Sequence, residues 1–129
     1  MNKLLWIKIS ALCGSLAVAL GAFAAHGLRD ALNTTSLESF QTGVRYQMYH
    51  AFFLFVVGLM PQLHPQQKKR LFWLTLLGVL LFSGSIYLLA TNTLTPIDFS
   101  FFGPVTPIGG LLLISAWGML GFYFFKHKK

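Results

Sequence analysis

The sequence has few charged residues and very few acidic ones. Of its 129 residues 10% are charged, with three Asp or Glu against ten Lys or Arg. Soluble domains carry about 25% charged residues, so the shortage excludes an ordinary soluble globular protein and a disordered chain. It also argues against a nucleic-acid-binding protein, which would display its basic residues on a polar face. Attraction to anionic lipid headgroups explains the excess of positive charge better.

Cysteine is almost missing as well. Cys13 is the single cysteine, so it can form neither an internal disulfide nor a thiolate metal cluster. A zinc site needs three or four ligands, and Cys13 is expected on the other side of the membrane from the main histidine, His50. The sequence also lacks a phosphate-binding loop and a hydrolytic triad. We therefore predict no metal, no cofactor and no enzymatic activity.

Hydrophobic residues are abundant, at 55% of the chain. They concentrate in four runs at about residues 4–25, 46–60, 71–90 and 107–125. A bilayer core about 30 Å thick needs about 20 helical residues, a length that the first, third and fourth runs reach. The second run is shorter and contains Gln47 and His50. The sequence predicts an all-α integral membrane protein, in which residues 1–129 form one bundle of four transmembrane helices.

Signals for helix starts support the second and fourth spans. Thr35 and Glu38 have the spacing of a capping box, so a long helix could begin near Ser36 and end at Met60. Thr106 is a predicted N-cap, with a proline at the first helical position after it.

Residues 26–43, between the first two spans, are polar with apolar residues interspersed. We predict a short amphipathic helix and a turn at Asn33 and Thr34, lying in the membrane interface. The apolar residues that would hold this interfacial segment against the bilayer are Leu28, Leu32, Leu37 and Phe40.

The distribution of Lys and Arg predicts the orientation, because short loops rich in these residues remain cytoplasmic. Eight of the ten fall on one side of a four-span arrangement: Lys3, Lys8, Lys68, Lys69, Arg70, Lys126, Lys128 and Lys129. Arg29 and Arg45 fall on the other side. We expect both termini in the cytoplasm, and the first run to remain as a span rather than to be cleaved as a signal peptide.

Polar residues in the spans lie mainly in the outer half, where they predict a ligand-binding cluster. Tyr46, Tyr49 and His50 have the i, i+3, i+4 spacing of one helical face. The full predicted cluster is His26, Arg45, Tyr46, Tyr49, His50, Ser83, Ser85, Tyr87 and Thr106. An ionisable residue inside a membrane indicates a functional site by default. The alternative is structural, with a neutral His50 bonded to Ser83 or a tyrosine and joining two helices.

Arg45 has two interpretations of its own. Its guanidinium could bind an anionic headgroup or substrate through two hydrogen bonds. It could instead be an interfacial anchor, with Glu38 and Asp30 as nearby acidic partners.

Small residues predict close helix packing. Cys13, Ala17, Gly21 and Ala25 recur at every fourth position of the first span. Gly109 and Gly110 lie just inside the fourth span. Such residues let helices approach closely in lipid, either within one chain or between copies.

Four segments together resemble one known family. They are Gly21–Leu28 (GAFAAHGL), Tyr46–Ala51 (YQMYHA), Ser83–Tyr87 (SGSIY) and Thr106–Gly110 (TPIGG). The chain resembles the bacterial domain of unknown function 423 family, which is similar to eukaryotic transmembrane protein 256. It departs from that pattern at Ser115-Ala116-Trp117, where the family often has Gly before the Trp. The resemblance implies a four-span protein of the bacterial cytoplasmic membrane, and it implies no activity.

The residues therefore favour a noncatalytic role. We expect the outer cluster to bind a membrane lipid or a membrane-protein partner. A second copy could pack against the small residues of the first span, and we expect no binding of nucleic acid. The alternative is a small oligomeric permease or channel component.

Overall fold

The computed structural model describes residues 2–126, and that part of the chain is helical without strands. Its four long helices are α1 (Lys3–His26), α2 (Thr34–Leu59), α3 (Pro65–Ala90) and α4 (Val105–Phe125). Two short 3-10 helices, Asn92–Leu94 and Ser100–Phe102, lie between α3 and α4. The all-helical prediction is confirmed. Lys128 and Lys129 of the predicted basic tail lie outside the described residues.

Polar side chains cap the starts of the helices. The side-chain oxygen of Asn2 accepts a hydrogen bond from Leu5 N at 2.9 Å. Asn33 does the same for Ser36 N at 2.8 Å. Each oxygen satisfies a backbone N–H that has no partner within the helix. The cap of α2 is therefore Asn33 and not the predicted Thr35, because Thr35 already lies inside the helix.

The start of α4 also differs from the prediction. The helix begins at Val105 with Pro104 as its cap residue, so Thr106 lies in the first turn. The Thr106 hydroxyl is thereby directed at α3, where it bonds to Ser85.

The predicted interfacial segment, residues 26–43, has a different structure. His26 ends α1, residues 27–33 form a turn, and residues 34–43 are the first part of α2. No separate short helix is present within this segment. Leu28, Leu32 and Phe40 are buried against Ala24 and Ala90 instead of facing the bilayer. The reason is that the turn folds back over the end of the bundle, where these side chains can be buried between the helices.

The four helices run antiparallel in sequence order around a central pair, α2 and α3. Helix α1 packs on α2 and α4 packs on α3, while α2 and α3 also pack on each other. Trp6 of α1 meets Phe72 of α3 with ring centroids 5.0 Å apart. Phe53 of α2 meets Trp117 of α4 at 4.5 Å. Helices α2 and α3 therefore form the centre of the bundle, with α1 against α2 and α4 against α3.

The two ends of the bundle differ in charge. At the basic end, where α1 and α3 begin and α2 and α4 end, lie Lys3, Lys68, Lys69, Arg70 and Lys126. All three acidic residues of the sequence lie toward the opposite end: Asp30, Glu38 and Asp98. This separation of charge leaves one end of the bundle strongly positive.

Three segments are long and apolar enough to cross a membrane: α1, α3 and residues Ser100–Phe125, which contain α4. Helix α2 has 26 residues but is not one of them. Its N-terminal part is polar, since the residues up to the middle of the helix include Glu38, Arg45 and Gln47.

The predicted small residues differ in how closely they pack. A Cβ added to Gly109 would lie 2.3 Å from Phe82 N of α3, so α3 and α4 make backbone contact there. At Gly110 the nearest atom would be 3.6 Å away. On α1, Ala17 is fully buried and Gly21 faces Val44, whereas Ala25 is exposed and Ala24 takes the buried position. Ala25 therefore does not pack within the interior of the bundle, because α1 presents its neighbour there, and its packing against a second copy stays a prediction.

Candidate functional site

His50 joins α2 to α4. Its Nδ1 lies 2.7 Å from the carbonyl oxygen of Tyr46, one turn earlier. A carbonyl only accepts, so Nδ1 carries the proton. The indole N–H of Trp117 donates to Nε2 at 3.1 Å. Both ring nitrogens are therefore satisfied by a neutral imidazole, as in the structural interpretation, although the partner is Trp117 rather than Ser83 or a tyrosine.

Gln47 joins three helices. Its amide Nε2 donates to the carbonyl oxygen of Cys13 on α1 at 2.9 Å. Its Oε1 accepts from the hydroxyl of Tyr87 on α3 at 2.7 Å. The Cys13 thiol donates to the backbone carbonyl of Gln47, with Sγ 3.7 Å from the oxygen. Cys13 therefore lies within one helical turn of the level of His50, and the expectation that it lies on the other side of the membrane is wrong. One glutamine thus holds α1, α2 and α3 together in a region where unpaired polar groups cost several kcal/mol.

The predicted serines form two further links. Ser83 on α3 donates to the carbonyl oxygen of Gly43 on α2 at 2.7 Å. A Cβ on Gly43 would lie 2.8 Å from the Tyr87 ring, so the glycine lets α2 and α3 approach closely here. Ser85 donates to Phe82 O at 3.0 Å and bonds to the hydroxyl of Thr106 on α4.

The remaining predicted residues lie outside this hydrogen-bonded interior. Arg45 is exposed and donates to the Thr42 hydroxyl on its own helix at 3.0 Å, so its bond is not with Glu38 or Asp30. Tyr46 and Tyr49 are exposed, and their rings meet edge to face with centroids 5.6 Å apart. His26 is exposed at the end of α1.

The structure therefore divides the predicted cluster into interior and surface groups. The hydrogen bonds of His50 go to Tyr46 and Trp117, so they do not link it to His26. Within residues 2–126 no three metal-ligating side chains are grouped.

A groove opens between α1 and α3 beside the Gln47 link, and we call it the α1–α3 groove. Its volume is about 370 Å³, within the range of about 300–1,000 Å³ typical of small-molecule sites. The walls are aliphatic, with Leu16 and Leu20 on α1 and Leu80 on α3. Ser83, Tyr87, Gln47 and Cys13 also line it. Two predicted site residues, Ser83 and Tyr87, thus border a cavity.

Sequence analysis missed two residues that carry these links. Gln47 is an amide in an apolar span, and this signal alone identifies it as a residue that needs partners. Trp117 has an indole N–H that also needs an acceptor in lipid. Its acceptor, His50, is 67 positions away in the sequence, so this pairing depends on the tertiary packing.

The loop between α3 and α4 is ordered by Asp98. Its carboxylate accepts from the backbone N–H and the hydroxyl of Ser100, both at 3.0 Å, and from the amide of Asn92 at 3.2 Å. These hydrogen bonds favour the charged form and hold the pKa of Asp98 below its usual value.

Known sequences similar to this chain are bacterial membrane proteins. Residues 20–110 match the family described as "Protein of unknown function (DUF423)". A UPF0382 membrane protein of Staphylococcus haemolyticus is 42% identical over 95% of this chain and 96% of its own length. The UPF0382 inner membrane protein YgdD of Escherichia coli is 32% identical, over 93% of this chain and 88% of its own length.

A UPF0382 membrane protein of Haemophilus influenzae is 40% identical over 95% of both chains. No solved structure matches significantly. The family match covers more than half of the chain, and the relatives match it almost from end to end. The chain therefore belongs to the DUF423 family, and its relatives are named UPF0382 membrane proteins.

Proposed function

We propose that this protein is a noncatalytic four-span membrane protein that holds an acyl chain of a membrane lipid in the α1–α3 groove. The observation that carries the proposal is the chemistry of the groove. Its walls are aliphatic, and the polar groups beside them already bond to one another, as in the contacts of Gln47 with Tyr87 and Cys13. An apolar chain can therefore fill the groove without leaving a buried polar group unpaired.

The use of the interior side chains supports a noncatalytic role. The ring nitrogens of His50 are both occupied, so the side chain has no free lone pair with which to act as a general base. The Ser83 hydroxyl donates to a backbone carbonyl, and no base among the described residues is bonded to it. These groups join helices, and in lipid such bonds replace the hydrophobic effect as a source of helix association.

We also propose four spans, with both termini on the cytoplasmic side of the cytoplasmic membrane. Helix α2 is the least apolar, but it contacts α1 and α3 along its length and reaches Trp117 of α4. Its polar residue Gln47 is therefore surrounded by protein rather than by lipid. The basic end would face the cytoplasm by the positive-inside rule.

Filling the groove tests the lipid-binding proposal. Gly84 lines the groove, and a Cβ added there meets no atom within 4 Å. Gly84→Leu should occupy the space without displacing neighbouring residues. Gly118→Leu is the matched control, because Gly118 also faces open space but lies on α4 and does not line the groove.

The measurement is native mass spectrometry of the full chain released from phospholipid nanodiscs. The wild type and Gly118→Leu should retain the same number of bound phospholipids, and Gly84→Leu should retain one fewer. Equal retention in Gly84→Leu and the control would contradict the proposal. If the wild type is instead released as a dimer without bound lipid, and Gly84→Leu as a monomer, the groove is a contact surface for a second copy of the chain.

A further inference from the structure

The charge separation in the bundle leaves the basic end without acidic partners. Every acidic side chain of the sequence lies toward the opposite end, near the α1–α2 turn or in the α3–α4 loop. There, two arginines face three acids, so that end is close to neutral. No Asp or Glu side chain among residues 2–126 therefore lies at the basic end to pair with its lysines and arginine.

The basic residues at the start of α3 have different roles. Lys68 points back across the bundle and donates to the carbonyl oxygen of Gly58 at 3.0 Å. This bond satisfies a carbonyl near the end of α2, where no helical N–H follows. Lys69 and Arg70 are exposed, and neither side chain has a hydrogen bond or an ion pair within residues 2–126.

Lys69 and Arg70 lie at one end of a second, shallow groove, which is lined by α3 and by Met119 of α4 and has a volume of about 530 Å³. We call it the α3–α4 groove. Its walls further along are apolar, formed by Trp73 and Leu77 of α3 and Met119 of α4. Leu77 is seven residues beyond Arg70, which places it about 10 Å deeper at a helical rise of about 1.5 Å per residue.

We propose that the α3–α4 groove binds an anionic phospholipid, with its phosphate at Lys69 and Arg70 and an acyl chain along Leu77 and Met119. The order of the residues along α3 fits this placement of phosphate and acyl chain. The two cations lie at the level of the lipid headgroups, and the apolar walls lie deeper in the membrane. Trp73, whose ring is apolar with one polar N–H, is at the level between them. Arg70 suits the phosphate because its planar guanidinium forms two parallel hydrogen bonds.

The same residues favour an anionic over a zwitterionic headgroup. A zwitterionic lipid brings an ammonium group beside its phosphate, and the groove lining holds two cations and no carboxylate. The ammonium would therefore be repelled. A phosphatidylglycerol headgroup carries the phosphate charge without that penalty.

The test uses the full chain in nanodiscs of phosphatidylglycerol and phosphatidylethanolamine in equal amounts. Native mass spectrometry gives the ratio of the two lipids bound to the protein. The wild type should be enriched in phosphatidylglycerol. Each cation near an anionic lipid surface changes binding about fivefold, so Lys69→Gln with Arg70→Gln should bring the ratio close to that of the bilayer.

The matched control is Lys3→Gln with Lys8→Gln, which removes two positive charges from α1 near the same end but outside the groove. It should keep the wild-type ratio. Enrichment that survives in the Lys69 and Arg70 variant would overturn the proposal. Equal loss in the control would overturn it too, because diffuse charge would then suffice.

A second pair of variants keeps every charge. Leu77→Trp places a larger side chain in the apolar part of the α3–α4 groove and narrows the space for an acyl chain. Leu111→Trp places the same ring on the outer side of α4, where residue 111 is 64% exposed. Of these two variants, only Leu77→Trp should lose bound phosphatidylglycerol. Unchanged binding in Leu77→Trp would overturn the acyl-chain part of the proposal. Gly84→Leu should leave the enrichment intact, so a failure at the α1–α3 groove remains distinguishable from a failure here.

Discussion

The bond between His50 and Trp117 should contribute measurably to stability, and a double-mutant cycle isolates it. His50→Phe keeps a ring of similar size but removes the acceptor, and Trp117→Phe removes the donor. Each single variant leaves one polar group without its partner, whereas the double variant leaves neither. The cycle also subtracts the loss of ring contact between Trp117 and Phe53, whose centroids are 4.5 Å apart.

The expected coupling energy is about 1 kcal/mol. Interhelical hydrogen bonds in membrane proteins average about 0.6 kcal/mol and reach about 1.7 kcal/mol. The present bond belongs to the upper part of that range for two reasons. His50 is only 3% exposed, so its Nε2 has no alternative partner in the folded state. The indole ring is half-exposed, but it faces lipid, which offers no hydrogen-bond acceptor.

The assay is reversible unfolding in mixed micelles with increasing SDS, followed by far-UV circular dichroism. This signal does not depend on the tryptophan that is replaced. Tyr49→Phe combined with Trp117→Phe is the control pair, because Tyr49 is exposed and its ring contacts Tyr46 instead. The control pair should be additive. A coupling energy of zero for His50 and Trp117 would refute the structural role given to this histidine.

Two further results are expected. Gly109→Ala should destabilise the protein by about 1–3 kcal/mol through overpacking, because the added Cβ would overlap Phe82 N. A Cβ at Gly118 meets no atom, so Gly118→Ala should stabilise the protein by up to about 1 kcal/mol through its higher helix propensity. SDS unfolding of both variants measures the difference, and equal stability would contradict the close contact at Gly109. The lowered pKa of Asp98 means that its hydrogen bonds stabilise the loop above its usual pKa, and that this contribution is lost as the pH falls through the lowered value. Carboxyl carbon NMR titration should show the lowered pKa returning toward its usual value in Ser100→Ala, and no change in that variant would contradict the assignment.

The overall architecture could be predicted from the sequence because it depends on composition and periodicity. Apolar runs of about 20 residues in a chain poor in charge can only be satisfied as helices in lipid. The small residues also predicted close packing, and Gly109 shows it most clearly. Its neighbour Gly110 packs less closely, because a helix turns by about 100° per residue and presents only one of the two to α3.

The candidate site was less predictable, because helical spacing identifies a face but not what the face meets. Tyr46, Tyr49 and His50 follow one another at helical spacing, yet His50 is buried and both tyrosines are exposed. The partner of His50 lies on α4, and the pairing depends on how far α4 is rotated and shifted against α2. Neither quantity follows from one sequence.

The sequence by itself determined the membrane setting, the helices and the charge separation between the two ends. Each of these follows from local composition, since burial in lipid and attraction to headgroups act on every residue separately. Only the tertiary structure decided that residues 34–43 extend α2, that Leu28 and Leu32 turn inward, and that Gln47 joins three helices. These features depend on which surfaces meet, and a polar group in lipid is stable only where a particular partner lies within hydrogen-bonding distance.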